Sequence, residues 1–186
     1  MKEVHYLKKV INFILIIVIA FSFTSCSLGG SSMLGFFSTD GQTANKRFEQ
    51  VLKAIQEKDK QALKDMFCKQ ALTNDKNIDE SITNLFDFFQ GKEALYDDRG
   101  GPTVYANQNT GGRVNRKKEV QSVYDVKTTE QKYHFLVQEF TVDTENPDRT
   151  GGIYSICIHK VQSSEDLYYG IDKLGVPGIT IDKKQE

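Results

Sequence analysis

Val120–Val142 reads VQSVYDVKTTEQKYHFLVQEFTV, and its spacing decides what the rest of the chain builds. Val120, Ser122, Tyr124 and Val126 alternate with Gln121, Val123, Asp125 and Lys127, the period of two expected of a strand. The run Lys132–Val142 is rich in aromatic and β-branched residues, with Tyr133, Phe135 and Val137 on one side and Leu136, Phe140 and Val142 on the other. Thr128–Gln131 is short enough to join the two runs as a hairpin. Apolar residues on both faces predict a sheet covered on one side and partly enclosed on the other.

Downstream, Asn146, Pro147, Gly151 and Gly152 mark Asp143–Gly152 as a turn region, because these residues supply or tolerate turn geometry. Ile153–Val161 is the next expected strand and Leu167–Ile171 a further short one. Upstream of Gly91 the period changes. Ala44, Phe48, Val51, Leu52 and Ile55 fall on one helical face, with Lys46, Arg47, Glu49, Lys53 and Glu57 elsewhere. Thr39 or Asp40 is placed to cap its start, and Asp59 to cap a second, shorter helix bearing Leu63, Met66 and Phe67. Ile78, Ile82, Leu85, Phe86 and Phe89 form the stripe of a third, with Gly91 placed to end it. Three helices followed by consecutive antiparallel strands predict an α+β fold. The stretch from Thr39 to Asp182 is roughly 140 residues, the size of one domain with one core; 183–186 is a C-terminal tail.

A long helix, a short one opening at Gln56-Glu57-Lys58-Asp59-Lys60-Gln61-Ala62-Leu63-Lys64-Asp65-Met66-Phe67, a third helix and a curved meander resemble the nuclear transport factor 2-like, cystatin-like superfamily. With Gly151-Gly152-Ile153-Tyr154-Ser155-Ile156, the chain is similar to small bacterial lipoproteins of that fold whose function is uncharacterised. The resemblance implies a bent sheet wrapped around the long helix, leaving a cone-shaped cavity. It implies a place for a ligand rather than a reaction, since one fold hosts many activities. An isomerase-like enzyme working in the cone is the alternative. Such relatives use a tyrosine donor and an aspartate base, but Tyr124 and Asp125 fall on opposite strand faces; Tyr105 and His134 stay open as participants.

The N-terminus carries its own signal. Lys2, Lys8 and Lys9 precede the 14-residue apolar stretch Val10–Phe23, and Thr24, Ser25 and Cys26 follow. A basic start, an apolar core of about 7–15 residues and small residues at the exit describe a secretory signal. The core is short of the roughly 20 residues that span a bilayer. Small residues followed at once by cysteine resemble a bacterial lipoprotein signal, although Phe23 stands where leucine is more common. The expectation is a signal peptide over 1–25, diacylglyceryl attachment at Cys26, a flexible tether over 26–38 and a lipid-anchored domain on the extracytoplasmic face of the cell membrane. Met33, Leu34, Phe36 and Phe37 either dock onto the domain or dip into the headgroup region.

The remaining signals are weaker. Residues 1–25 carry Lys2, Lys8, Lys9 and Glu3, so their removal shifts the formal net charge from −1 to −3. That balance argues against a nucleic-acid partner. Cys68 and Cys157 have no histidine at ligand spacing, so no metal site is expected. They read as buried thiols, in a compartment that also permits a disulfide. Asp143-Thr144-Glu145-Asn146-Pro147-Asp148 begins like a calcium loop, but Pro147 takes a ligand position and no glycine follows at the sixth place. Neither a phosphate-cradling glycine loop nor the cystatin inhibitor signature is found, and no cofactor is implied. Arg113, Arg116, Lys117 and Lys118 cluster ahead of Val120. They form either a solvated loop or a contact for anionic headgroups or wall polymer. The expected partners are the membrane through the lipid, with an envelope protein, an anionic lipid or a small ligand as the domain's own contact, the domain being a monomer.

Overall fold

The structure is a computed structural model that describes residues 35–92, 94–99, 102–108, 116–161 and 174–182. Cys26, Arg113 and Leu167–Ile171 lie outside them. Among the described residues four helices precede six strands: α1 (Gly35–Glu57), α2 (Lys60–Lys64), α3 (Lys69–Asn74), α4 (Ile78–Phe88), then β1 (Leu95–Asp98), β2 (Thr103–Gln108), β3 (Arg116–Lys127), β4 (Lys132–Asp143), β5 (Ile153–Lys160) and β6 (Gly178–Asp182). The class is α+β.

α1 begins at Gly35, upstream of the expected caps Thr39 and Asp40 and inside the stretch read as tether. Its end is sharp. Lys58 turns into the left-handed region at φ 53°, and the N–H groups of Lys58 and Asp59 close onto the carbonyls of Ile55 and Ala54, satisfying acceptors that the helix leaves open. Asp59 then caps α2 as expected, its side chain accepting from the Ala62 N–H at 2.9 Å. Three helices were expected, and the described residues hold four. The extra one, α3, buries only Ala71, so it carries no apolar stripe that a periodicity reading could find. α4 buries Ile78, Ile82, Leu85 and Phe86, as its stripe predicts. It ends at Phe88, before Gly91. Gly91 serves the turn beyond: its φ is +91°, and a Cβ there would run into Thr128 of the β3–β4 hairpin.

The sheet has the order β1-β3-β4-β5-β6, with β2 also paired to β3. β3 and β4 pair antiparallel from Lys117↔Asp143 to Lys127↔Lys132, the expected hairpin. Register shifts at Lys118/Glu119 and at Gln138/Glu139 bend and twist it. The expected all-antiparallel meander needs one correction: β6 pairs parallel to β5, with Ile156↔Ile179 and Ile158↔Ile181 in register. A parallel partner must be reached by a crossover rather than a tight turn, and that connection left no strand signal at Gly178–Asp182. The Gly151–Gly152 turn is fixed by close approach. A Cβ on Gly152 would come within 2.6 Å of the Met66 carbonyl, where Ile153 exchanges backbone hydrogen bonds with Met66 and Cys68.

The core lies between the helices and one sheet face. Phe48 of α1 stacks on Tyr124 with ring centroids 3.8 Å apart and planes at 5°, and meets Phe135 and Tyr96 edge to face at 5.3 and 5.4 Å. Both stacked rings are fully buried. Phe48→Ala is expected to destabilise the full chain by about 3–5 kcal/mol through the lost transfer energy and the cavity left behind. Tyr124→Phe keeps the ring and loses one hydroxyl bond, and should cost only about 1 kcal/mol. Urea unfolding followed by circular dichroism measures both, and equal losses would mean that the stack does not hold the core.

Candidate functional site

The two faces of the sheet carry different chemistry. On the inner face α1 is clamped to the strands by a polar seam. Lys118 Nζ lies 2.6 Å from Asp40 and Arg47 Nε 3.4 Å from Glu139. Tyr124 donates its hydroxyl to Asn45 Oδ1 at 3.0 Å, and Asn45 Nδ2 donates to Asp98 at 3.0 Å. Tyr96 donates to Glu49 at 2.9 Å. Burial pushes the Tyr124 phenol far above its usual value. Burial also raises the Glu139 carboxyl, with Arg47 offsetting only part of the rise. Glu139 is 8 % exposed. These two ionisable groups are the ones a cone-type reaction could use, yet both are already engaged. The ring of Phe48 fills the space against Tyr124.

Tyr124 and Asp125 do point to opposite faces, as the period of two requires. Asp125 is on the outer face, accepting from Arg99 Nε at 2.6 Å and lying 2.7 Å from His134 Nδ1. Burial would raise its carboxyl, but the bonds from Arg99 and His134 outweigh that and hold it below its usual range. His134 is 1 % exposed and packs against His159 with ring centroids 5.1 Å apart. Tyr105 is on the exposed strand β2, in register with Glu119. The tyrosine and histidine left open as participants therefore both lie off the inner sheet face.

The expected basic cluster is divided. Arg116, Lys117 and Lys118 belong to strand β3 rather than to a loop ahead of it, and the strand alternation sends neighbours to opposite faces. Lys118 turns inward to Asp40. Lys117 turns outward, 3.2 Å from Glu119 and 4.9 Å from the Phe140 ring. Pairing to carboxylates removes much of the cationic patch that the sequence suggested. The Asp143–Gly152 region holds a short 3₁₀ helix, Pro147–Arg149. Asp143 Oδ1 accepts from the N–H groups of Glu145 and Asn146, so it organises the turn. Cys68 and Cys157 are both buried, with no disulfide between them.

The outer face holds the feature that sequence reading missed. A groove of about 640 Å³ is lined by Val104, Tyr105, Ala106, Lys117, Glu119 and Gln121. Its Glu119 and Gln121 begin a hydrogen-bonded row that runs on across β4 and β5. Glu119 Oε1 accepts from Gln121 Nε2 at 2.6 Å and from Gln138 Nε2 at 2.5 Å, and Ser155 donates to Gln138 Oε1 at 3.2 Å. Burial would raise the Glu119 carboxyl, but the bonds from Gln121, Gln138 and Lys117 outweigh it and hold it below its usual value. Glu119 thus stays ionised and fixed. The only sequence signal for this groove was the alternation that placed Gln121 opposite the core residues. β2 itself was not foreseen.

An α+β domain with aromatic rings packed beneath its long helix, a polar seam beside them and an open groove on the outer sheet face defines the class of protein. The model for the family described as Domain of unknown function (DUF5104) matches residues 50–173. The chain belongs to that family. No curated protein matches it.

Of the three shifted carboxyls, Glu139 and Asp125 have opposite pH signatures. Glu139 has a folded value above its unfolded one of about 4.3, so the folded state binds the proton more tightly, and stability falls as pH rises from there through the folded value. Glu139→Gln should therefore raise the melting temperature at pH 7 and change it less at pH 4. Asp125 has a folded value below its unfolded one of about 3.9, so its stabilisation is present above that pH and is lost as pH falls through the folded value. Asp125→Asn should lower the melting temperature at pH 7, the gap closing in acid. Thermal melts from pH 2 to 8 compare the slopes; parallel curves for both variants would contradict these assignments.

Proposed function

We propose that this chain is an exported lipoprotein with a nuclear transport factor 2-like, cystatin-like domain, anchored at the extracytoplasmic face of the cell membrane through Cys26. The domain acts as a non-enzymatic binding module, monomeric and displayed on its tether. The sequence Thr24-Ser25-Cys26 after a short apolar core supports the anchor. Two acyl chains, at about 0.8 kcal/mol per buried methylene, hold such a domain stably. The order of helices and bent strands, with α1 laid across β3 and β4, supports the fold assignment.

The observation that supports binding over catalysis is the Phe48–Tyr124 stack, which packs the inner sheet face beneath α1. Tyr124 is bonded to Asn45, and Asp125 faces away toward Arg99 and His134. A cone-type enzyme needs converging ionisable groups beside open space. The groove beside Tyr105 is open and polar, and serves as the contact surface.

The anchor is tested by mass spectrometry of the mature N-terminus and by detergent-phase partitioning. The wild-type chain should begin at a modified Cys26 and enter the detergent phase, while Cys26→Ala should not be acylated. A mature chain that retains residues 1–25 and lacks the acyl mass would sink the proposal.

A further inference from the structure

We propose that the outer-face groove is a binding site for a neutral saccharide. This rests on the reading of the domain as a binding module and names its ligand class. Tyr105 is 54 % exposed on β2. A lone exposed tyrosine is ordinary, but this one lines a groove together with Lys117, Glu119 and Gln121 of the neighbouring strand. An aromatic face is electron-rich, and the weakly positive C–H groups on one side of a pyranose ring pack against such a face. The hydroxyls around the ring rim then need partners that both donate and accept.

The groove supplies those partners already in place. Glu119 is held by Gln121 and Gln138, Gln138 by Ser155, and Lys117 lies against the same carboxylate. Groups fixed before binding lose little freedom on binding, so their hydrogen bonds count toward affinity. Lys117 keeps N–H donors beyond its carboxylate contact, and Gln121 keeps its carbonyl oxygen, which gives alternating donors and acceptors beside the ring. The two charges in the lining cancel, which removes the preference for an anionic ligand that Lys117 alone would create. The volume of about 640 Å³ falls within the size of small-ligand sites, about 300–1,000 Å³.

The test uses the full acylated chain in a detergent that is not a glycoside. Saturation-transfer NMR is run with maltotriose, cellotriose, chitotriose and mannotriose, and with inorganic phosphate and anionic phospholipid vesicles as charged controls. At least one trisaccharide should bind at millimolar concentration. Tyr105→Ala should weaken it about tenfold, and Tyr105→Phe should hold it within about twofold, since the ring rather than the hydroxyl forms the platform. The exposed position of Tyr105 predicts an unchanged melting temperature for both variants. Failure of all four trisaccharides, binding of the charged probes alone, or binding indifferent to Tyr105→Ala overturns the proposal. The acyl mass of the wild-type chain separates the two ideas. Saccharide binding by a wild-type chain that carries no acyl mass leaves this site standing while the anchor fails; an acylated chain that binds no trisaccharide removes the site alone.

Discussion

The face-to-face contact of Phe48 with Tyr124 is the constraint on which the rest of the structure depends. It sets the distance between α1 and the sheet, and Phe135 and Tyr96 then close around it edge to face. Burying each large side chain contributes about 1.5–3 kcal/mol, and an aromatic pair adds about 0.5–1.5 kcal/mol beyond area. The ion pairs along the same helix are partly exposed, and such pairs contribute about 0–1 kcal/mol each. The rings supply the stability and the polar seam supplies the orientation. Asp40, Asn45, Arg47 and Glu49 each find a partner on a different position of β1, β3 or β4, so the helix has one favourable rotation and one favourable slide.

That packing also divides the labour of the sheet. With the inner face occupied by rings, its ionisable residues are drawn into structural pairing, and Glu139 bears a desolvation cost that Arg47 relieves only in part. The outer face is built from residues of the opposite parity. There Glu119, Gln121, Gln138 and Ser155 link β3, β4 and β5, while Arg99, Asp125 and His134 form a second polar cluster further along. Cross-strand polar pairs of this kind contribute about 0.2–1 kcal/mol each and favour one register. One of these rows runs beside an open groove, whereas the inner face is occupied by packed rings.

Gly152 and Gly178 show how local chemistry ties distant segments. Gly152 lets β5 approach the link between α2 and α3 so closely that their backbones exchange hydrogen bonds. Gly178, at φ +94°, leaves room for Asp75 where a side chain would collide with it. Through these two contacts the small helices α2 and α3 are bound to the β5–β6 edge rather than left on a loop. Lys69 with Asp148 and Arg149 with Gln70 add further ties between α3 and the β4–β5 turn.

Periodicity alone was enough to place α1, α2, α4 and the β3–β4 hairpin, because each buries a whole stripe or alternating face, and such patterns are local. It also separated Tyr124 from Asp125, since strand parity is a local property. α3, β1, β2 and β6 were not legible. α3 buries one residue, β1 is half-exposed, and β6 is defined by a parallel partner that no neighbouring residue announces. The basic cluster was visible as composition, but its division between Asp40 and Glu119 depends on which elements the fold brings opposite Lys118 and Lys117. The groove follows the same rule: Tyr105 and Gln121 are 16 positions apart in the chain, and only the pairing of β2 with β3 brings them to one wall. The chain's own order therefore determined its class and its main elements, which depend on near neighbours. The tertiary structure decided which charges are cancelled, which face is filled and where a ligand could lie, because those depend on long-range register.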